Sequence, residues 1–66
     1  MNETDFIEQF ALCLDNADYE ASLELGKLYE VVVDEQADLH GYIRIVDESG
    51  EDYAYGRERF HQVLTH

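Results

Sequence analysis

The amino-acid sequence predicts a mainly β protein, a small barrel of five short strands that forms one domain over residues 1–66. A chain of 66 residues provides for one small core, and a hydrophobic fraction of 45% is enough to build it. β-Branched and aromatic residues recur in short runs separated by glycine and acidic turn signals, which is typical of consecutive strands. Closing the strands into a barrel would also remove the exposed edges of a small sheet.

The N-terminal segment ETDFIEQFALCLD fits both a helical and an alternating apolar pattern. We expect one or two helical turns over residues 4–9, capped by Asn2 or Thr4, followed by a strand over residues 10–14. Residues 1–9 would then form a helical or mobile extension of the domain.

The middle of the chain alternates turn signals with strand signals. Residues 15–18 have turn chemistry, and Leu25-Gly26-Lys27 forms a bend before the β-branched strand at residues 28–33. Residues 34–39 lack strand character and predict a loop or a helical turn.

A β-hairpin is predicted over residues 42–55. In the strand YIRIV, Ile43 and Ile45 face one side, while Tyr42, Arg44 and Val46 face the other. Gly50 suits a left-handed residue that closes the turn before the strand EDYAY, at residues 51–55. GRERF then predicts a short helical turn, and HQVL predicts the last strand.

This order of elements resembles an SH3-like barrel. The blocks YEASLELGKLYEV and RIVDESGEDYAY resemble a family of short bacterial hypothetical proteins, over roughly residues 11–63. The chain departs from the family's pattern at Gly56, where proline is expected after the tyrosine. The resemblance implies an SH3-like fold and no activity, because a fold by itself assigns no function.

The net charge limits the class of partner. Sixteen acidic residues oppose four basic ones, for a net charge of −12, and residues 1–26 hold seven acids and no Lys or Arg. This exceeds the roughly 2 to 8 charges that keep a small domain soluble. Such a field repels nucleic acid and anionic lipid and attracts cationic surfaces. We therefore expect a basic protein surface as partner, with no direct nucleic-acid or membrane binding.

The acidic turn raises the question of a metal or catalytic site. It contains Asp47, Glu48, Glu51 and Asp52. An EF-hand loop needs glycine at its sixth position, where Asp52 stands, so only a weak, irregular calcium site remains as an alternative. Carboxylates on a solvated rim stay ionised, which makes them poor acid–base catalysts.

The cysteine and the histidines give no sign of a metal site or a nucleophile. Cys13 lies in an apolar stretch, where burial raises a thiol's pKa, and the three histidines lack zinc-ligand spacing. We predict no catalytic, cofactor-binding or metal-binding residues, and no enzyme. A single unpaired cysteine and an N-terminus without a basic region favour a cytoplasmic protein, which we expect to be a monomer.

Two surfaces are candidates for binding. The first is an acidic surface that would mimic nucleic-acid charge and occupy the basic site of a nucleic-acid-handling complex. In size and charge alone, the chain resembles the small phage-type DNA mimics that block CRISPR or restriction complexes. The predicted residues of the acidic surface are Asp15, Asp18, Glu20, Glu24, Asp34, Glu35, Asp38, Asp47, Glu48, Glu51 and Asp52.

The alternative is an SH3-like housekeeping module that binds a host protein or peptide through an aromatic face of Tyr42, Tyr53 and Tyr55. Against this stands the simpler reading that most tyrosines complete the core with their hydroxyls at its rim. Arg44, Arg57 and Arg59 are expected to pair with neighbours such as Glu58 or Asp52.

Overall fold

The fold is a five-stranded antiparallel sheet with one short helix, seen in a computed structural model that describes residues 8–65. The elements follow one another as β1 (Glu8–Cys13), β2 (Leu28–Val32), α1 (Glu35–Leu39), β3 (Tyr42–Val46), β4 (Asp52–Gly56), a 3-10 turn (Arg57–Arg59) and β5 (Phe60–Thr65). The mainly β prediction and the helical turn before the last strand are confirmed.

The strands lie in the order β4-β3-β2-β1-β5. β2 is shared by the two halves of the sheet: Leu28 to Glu30 pair with β1, whereas Val31 and Val32 pair with β3. β4 and β5 are the two edges, and within residues 8–65 the sheet is not closed by pairing between them.

The core lies between the two halves of the sheet, because alternate residues of each strand point inward. In β3, Ile43 and Ile45 are buried while Tyr42, Arg44 and Val46 are more exposed, as the alternation predicted. The buried cluster comprises Ala11, Cys13, Leu23, Tyr29, Ile43, Ile45, Tyr55 and Phe60.

The N-terminal prediction is wrong where it can be compared. Residues 8 and 9 belong to strand β1 rather than to a helical turn, and residues 4–7 lie outside the described part of the chain. β1 pairs with β5 along its whole length, from Glu8 opposite Thr65 to Cys13 opposite Phe60. This long-range ladder selects the alternating pattern over the helical one.

Single residues determine where α1 begins and how the chain bends at Gly50 and Gly26. Asp34 accepts a hydrogen bond from the Ala37 amide and so caps α1 over the segment predicted as a loop or helical turn. Gly50 has φ +85°, the left-handed conformation predicted for it, and its amide donates to the Asp47 carbonyl across the β-hairpin turn. Gly26 has φ +78°, and its amide donates to the Cys13 carbonyl, which produces a glycine bulge at the start of β2.

Candidate protein-binding surface

The long loop between β1 and β2 (residues 14–27) packs against the turn between β3 and β4 (residues 47–51). The Glu48 amide donates to the Ser22 carbonyl at 3.0 Å. The Tyr29 hydroxyl donates to Glu48 Oε2 at 2.6 Å and accepts a hydrogen bond from the Glu24 amide at 2.8 Å. Two acidic segments that are distant in sequence therefore lie together at one end of the sheet.

Glu48 is held by two donors. Lys27 Nζ lies 2.6 Å from the same Oε2 that Tyr29 contacts. The hydrogen bonds from Lys27 and then Tyr29 lower the pKa of the Glu48 carboxyl. On the other side of the contact, burial and the hydrogen bond to Glu48 raise the pKa of Tyr29 to about 12. At neutral pH the pair is therefore an ionised carboxylate and a neutral phenol.

Asp47 makes the corresponding connection to Tyr55. Asp47 Oδ2 accepts a hydrogen bond from the Tyr55 hydroxyl at 2.6 Å, and Oδ1 accepts from the Ser49 amide at 2.9 Å. Partial burial acts to raise the pKa of the Asp47 carboxyl, but the bonds from Ser49 and Tyr55 together outweigh it, and the pKa is lowered. Asp47 and Glu48 therefore anchor the turn to the core: both carboxylate oxygens of Asp47 and Oε2 of Glu48 accept hydrogen bonds within the protein.

Every Lys and Arg of the chain is engaged in an ion pair with one acid. The pairs are Lys27–Glu48, Arg44–Asp34, Arg57–Asp38 and Arg59–Asp15. The arginine partners expected from sequence proximity, Glu58 and Asp52, are therefore wrong. The sheet brings together partners that are 10 to 44 residues apart, because strand pairing decides which charges meet.

The acids at the helix end do not join those of the loop and turn. β2 runs from the β1–β2 loop to α1, and β3 runs back from α1 to the turn, so α1 lies at the opposite end of these strands. There Asp34 is paired with Arg44 and Asp38 with Arg57. Arg44 holds the pKa of the Asp34 carboxyl below its ordinary value. Glu35 remains exposed at this end.

The structure thus reduces the predicted acidic surface to the exposed acids at the end of the sheet where the β1–β2 loop meets the β3–β4 turn. Asp18 and Glu20 flank Tyr19, whose ring packs edge-on against Tyr55 with centroids 5.0 Å apart. We call the resulting set the loop–turn surface; it consists of Asp18, Glu20, Glu24, Glu51 and Asp52, all exposed. Of the other predicted residues, Asp15, Asp34, Asp38 and Glu48 are ion-paired and Asp47 is bonded to the core.

The predicted aromatic face does not form. Tyr53 lies opposite Ile45 and Tyr55 opposite Ile43, so both tyrosines share the side of the buried isoleucines. Tyr42 lies opposite Gly56 on the other side of the sheet, and Tyr55 is only 3% exposed. Tyr29 and Tyr55 complete the core, and their hydroxyls contact acids at its rim, as expected; Tyr42 and Tyr53 are instead about half exposed.

The described residues offer little to bind a metal or a small substrate. Within residues 8–65 no group of three or more His, Cys, Asp and Glu side chains is placed to hold a metal ion. Cys13 is buried, and burial is the main cause that raises the pKa of its thiol. A cavity of about 70 Å³, lined in part by Val33, Asp34 and Arg44, is far below the roughly 300 to 1,000 Å³ of small-molecule sites.

Sequence reasoning missed the exposed leucines beside the loop. Leu14, Leu25 and Leu28 are all largely exposed, and the first two adjoin Asp15 and Glu24. Strand alternation could have placed Leu28 outward, because the buried Tyr29 follows it directly.

Comparisons with known proteins give no relative. No protein-family model, no curated protein and no solved structure matches the chain. The resemblance of its sequence blocks to short bacterial proteins therefore stays a prediction. In the part of the chain that the structure describes, no helix has the length and apolar character needed to cross a membrane.

Proposed function

We propose that the protein is a non-enzymatic, acidic binding module whose loop–turn surface occupies the basic site of a nucleic-acid-handling complex, as an anti-CRISPR or anti-restriction inhibitor does. One observation carries this proposal. The four basic residues are each engaged by one acid, and the acids left without a basic partner on the described chain include all five of the loop–turn surface.

The spacing of the acids favours this surface over a single strand. Duplex DNA carries one charge per roughly 1.7 Å of axis, whereas acids on alternate residues of one strand are roughly 7 Å apart. One strand is therefore too sparse to match a duplex. The packing of the β1–β2 loop on the β3–β4 turn brings acids of two segments together, which raises the local charge density.

The fold provides a rigid support for that surface. We infer an SH3-like barrel, because β2 is shared by two half-sheets and a 3-10 turn precedes the last strand. Glu48 and Asp47 fix the turn by hydrogen bonds to the buried tyrosines. A preorganised acidic surface loses less conformational freedom on binding than a flexible tail. A reduced, buried Cys13 fits a cytoplasmic location.

The test is capture of partners from bacterial lysate at low and high salt, with duplex DNA as competitor. We expect a nucleic-acid-handling complex that is retained at low salt and released by salt and by DNA, because both act on the same charges. The triple variant Glu20→Gln, Glu24→Gln, Glu51→Gln should lose the complex.

A second triple variant serves as the matched control. Glu35→Gln, Asp38→Asn and Glu58→Gln remove three acids from exposed positions outside both the loop–turn surface and the outer side of β1 and β2, and this variant should retain the complex. Equal loss in both variants would show that only the net charge matters. Retention at high salt and in the presence of DNA would refute charge mimicry.

A further inference from the structure

The outer side of β1 and β2, which faces away from the core, carries large apolar side chains. In β1, Ala11 and Cys13 point into the core, so Leu12 between them points outward. Leu12 lies directly opposite Leu28 of β2, whose neighbour Tyr29 is buried. The two leucines therefore form a cross-strand pair on the outer side of the sheet.

This apolar side extends along β1 in both directions. Phe10 lies opposite Val63 of β5, and both are half-buried. At the other end, Leu14 is 56% exposed and Leu28 is 53% exposed.

We call these residues the leucine face, which comprises Phe10, Leu12, Leu14, Leu28 and Val63. His61 borders it opposite Leu12. Large exposed apolar side chains that adjoin one another mark interaction sites more often than isolated ones.

Acids border the leucine face, and the two cations nearest to it, Lys27 and Arg59, are each paired with an acid. Glu30 lies opposite Phe10 and follows Leu28 on the outer side of β2. Asp15 directly follows Leu14, and Glu24 directly precedes the exposed Leu25. Both acids lie in the β1–β2 loop, which connects the leucine face to the loop–turn surface along the chain.

We propose that the leucine face docks a cationic amphipathic segment of the partner protein, one with apolar side chains on one side and Lys or Arg along its flanks. The inference rests on the proposed function, since it names the chemistry that the basic partner presents next to its charges. Charge complementarity selects this occupant: a second copy of the chain would bring together two molecules that each carry −12, and an anionic membrane would be repelled as well. Apolar contacts would then supply the affinity that screened charges do not.

The test uses the full-length protein and two synthetic peptides of leucine and lysine. One peptide, of about 18 residues, segregates leucine on one helical face, and the other has the same composition in scrambled order. We expect the segregated peptide to bind about tenfold more tightly or better at physiological salt, because only it presents an apolar side to the leucine face. Amide shifts of Leu12 and Leu28 in NMR spectra should report the contact.

Two variants make the comparison specific. Leu14→Gln with Leu28→Gln should abolish the preference for the segregated peptide, while the melting temperature stays near that of the wild type because both side chains are exposed. Leu39→Gln is the matched control: Leu39 is 76% exposed but lies on α1, at the opposite end of the strands, and the preference should persist.

Other outcomes would overturn the inference in distinguishable ways. A preference that survives in the double variant would place the apolar contact elsewhere. If the protein dimerises with increasing concentration and the double variant does not, a second copy of the chain covers the leucine face. If the segregated peptide binds only after residues 1–7 are deleted, that segment covers the leucine face. If both peptides bind equally well and the Glu20, Glu24 and Glu51 triple variant binds neither, the result would support the proposed function and contradict a role for the leucine face. Absence of binding to either peptide at low salt would contradict both proposals.

Discussion

Glu48 joins three parts of the chain through one carboxylate. Its Oε2 accepts hydrogen bonds from Lys27 and Tyr29, and its amide donates to the carbonyl of Ser22. A residue that sequence analysis assigned to the partner-binding rim is thus first a structural residue that holds the rim in place.

The pH dependence of stability should reveal this role. The pKa of the Glu48 carboxyl is lowered in the folded protein, so its stabilising contribution is present above the ordinary value of about 4.3 and is lost as the pH falls through the lower folded value. We expect Glu48→Gln to be less stable than the wild type at pH 7, and the difference to shrink below about pH 4. Urea unfolding at several pH values measures it.

A second variant separates the two donors to Glu48. Tyr29→Phe removes the hydrogen bond to Glu48 and the one from the Glu24 amide, and it leaves Lys27 in place. Because only the first of these bonds depends on an ionised Glu48, the pH-dependent loss of stability should be smaller than that of Glu48→Gln. A Glu48→Gln difference that stays constant from pH 7 to the acid limb would contradict an ionised, hydrogen-bonded Glu48.

The tyrosines show what residue patterns leave undetermined. Alternation within one strand correctly separated Ile43 and Ile45 from Tyr42. Whether Tyr42 shares a side with Tyr53 depends on the register between strands, and therefore on the length of the turn. The turn places Asp47 opposite Glu51 with three residues between them, and this puts Tyr42 and Tyr53 on opposite sides. A two-residue turn would shift the pairing and reverse that outcome.

At the scale of elements, the bulge at the start of β2 determines where the long loop meets the sheet. The Cys13 amide donates to the Lys27 carbonyl, while the Gly26 amide donates to the Cys13 carbonyl, so two residues of one strand oppose one of the other. The bulge requires the left-handed conformation of Gly26. The sequence indicated a bend here because it contains glycine, but the partner residue Cys13 is set by strand pairing.

Substitution of Gly26 should therefore cost conformational energy without a steric clash. A Cβ atom at this position would meet no heavy atom within 4 Å, so Gly26→Ala should destabilise the fold by about 1 to 2 kcal/mol, the penalty of a left-handed residue with a side chain. Gly26→Asn should lose less, because asparagine tolerates this region better. Chemical denaturation gives both values.

Gly56 provides the control for the effect of adding a methyl group. Its φ of −58° suits any residue, and the three atoms nearest to an added Cβ all belong to the carboxylate of the flexible Glu58 side chain. We expect Gly56→Ala to cost less than Gly26→Ala. The reverse order would indicate that packing, rather than backbone conformation, selects glycine at these turns.

The N-terminal strand shows why local patterns mislead for some elements. The segment before Cys13 satisfied both a helical and an alternating period, and its strand conformation follows from partners at both sides, β2 and β5. β5 is almost fifty residues away in the chain, so no local signal could decide between the two. α1, by contrast, carries its own start signal in Asp34.

At the scale of the whole molecule, the net charge follows from the composition, but the positions of the charged side chains in the fold do not. Pairing of all four cations depends on contacts between distant elements. These contacts engage Asp34 and Asp38 at the α1 end and Asp15 and Glu48 at the other end, and they leave the five acids of the loop–turn surface without a cation among the described residues. The eleven acids that sequence analysis grouped as one surface are therefore divided between two ends of the sheet and an internal network.

The uncompensated charge should make the fold more stable as salt is added. A net charge of −12 on a chain of 66 residues produces self-repulsion in the folded state, which salt screens as the Debye length falls from about 30 Å at 0.01 M to about 10 Å at 0.1 M. Each of the four ion pairs has at least one side chain with about a third or more of its surface exposed, so their weakening by salt is the smaller effect. We expect the melting temperature measured by circular dichroism to rise over this range.

Two comparisons establish that screening is the cause. Choline chloride should raise the melting temperature as much as sodium chloride at equal ionic strength, because screening does not depend on the identity of a monovalent cation. The Glu20→Gln, Glu24→Gln, Glu51→Gln variant should start from a higher melting temperature and gain less from salt, because three of the repelling charges at one end are gone. A rise produced by calcium alone would instead point to a specific cation site in the acidic turn, and a fall with salt would mean that the ion pairs outweigh the repulsion.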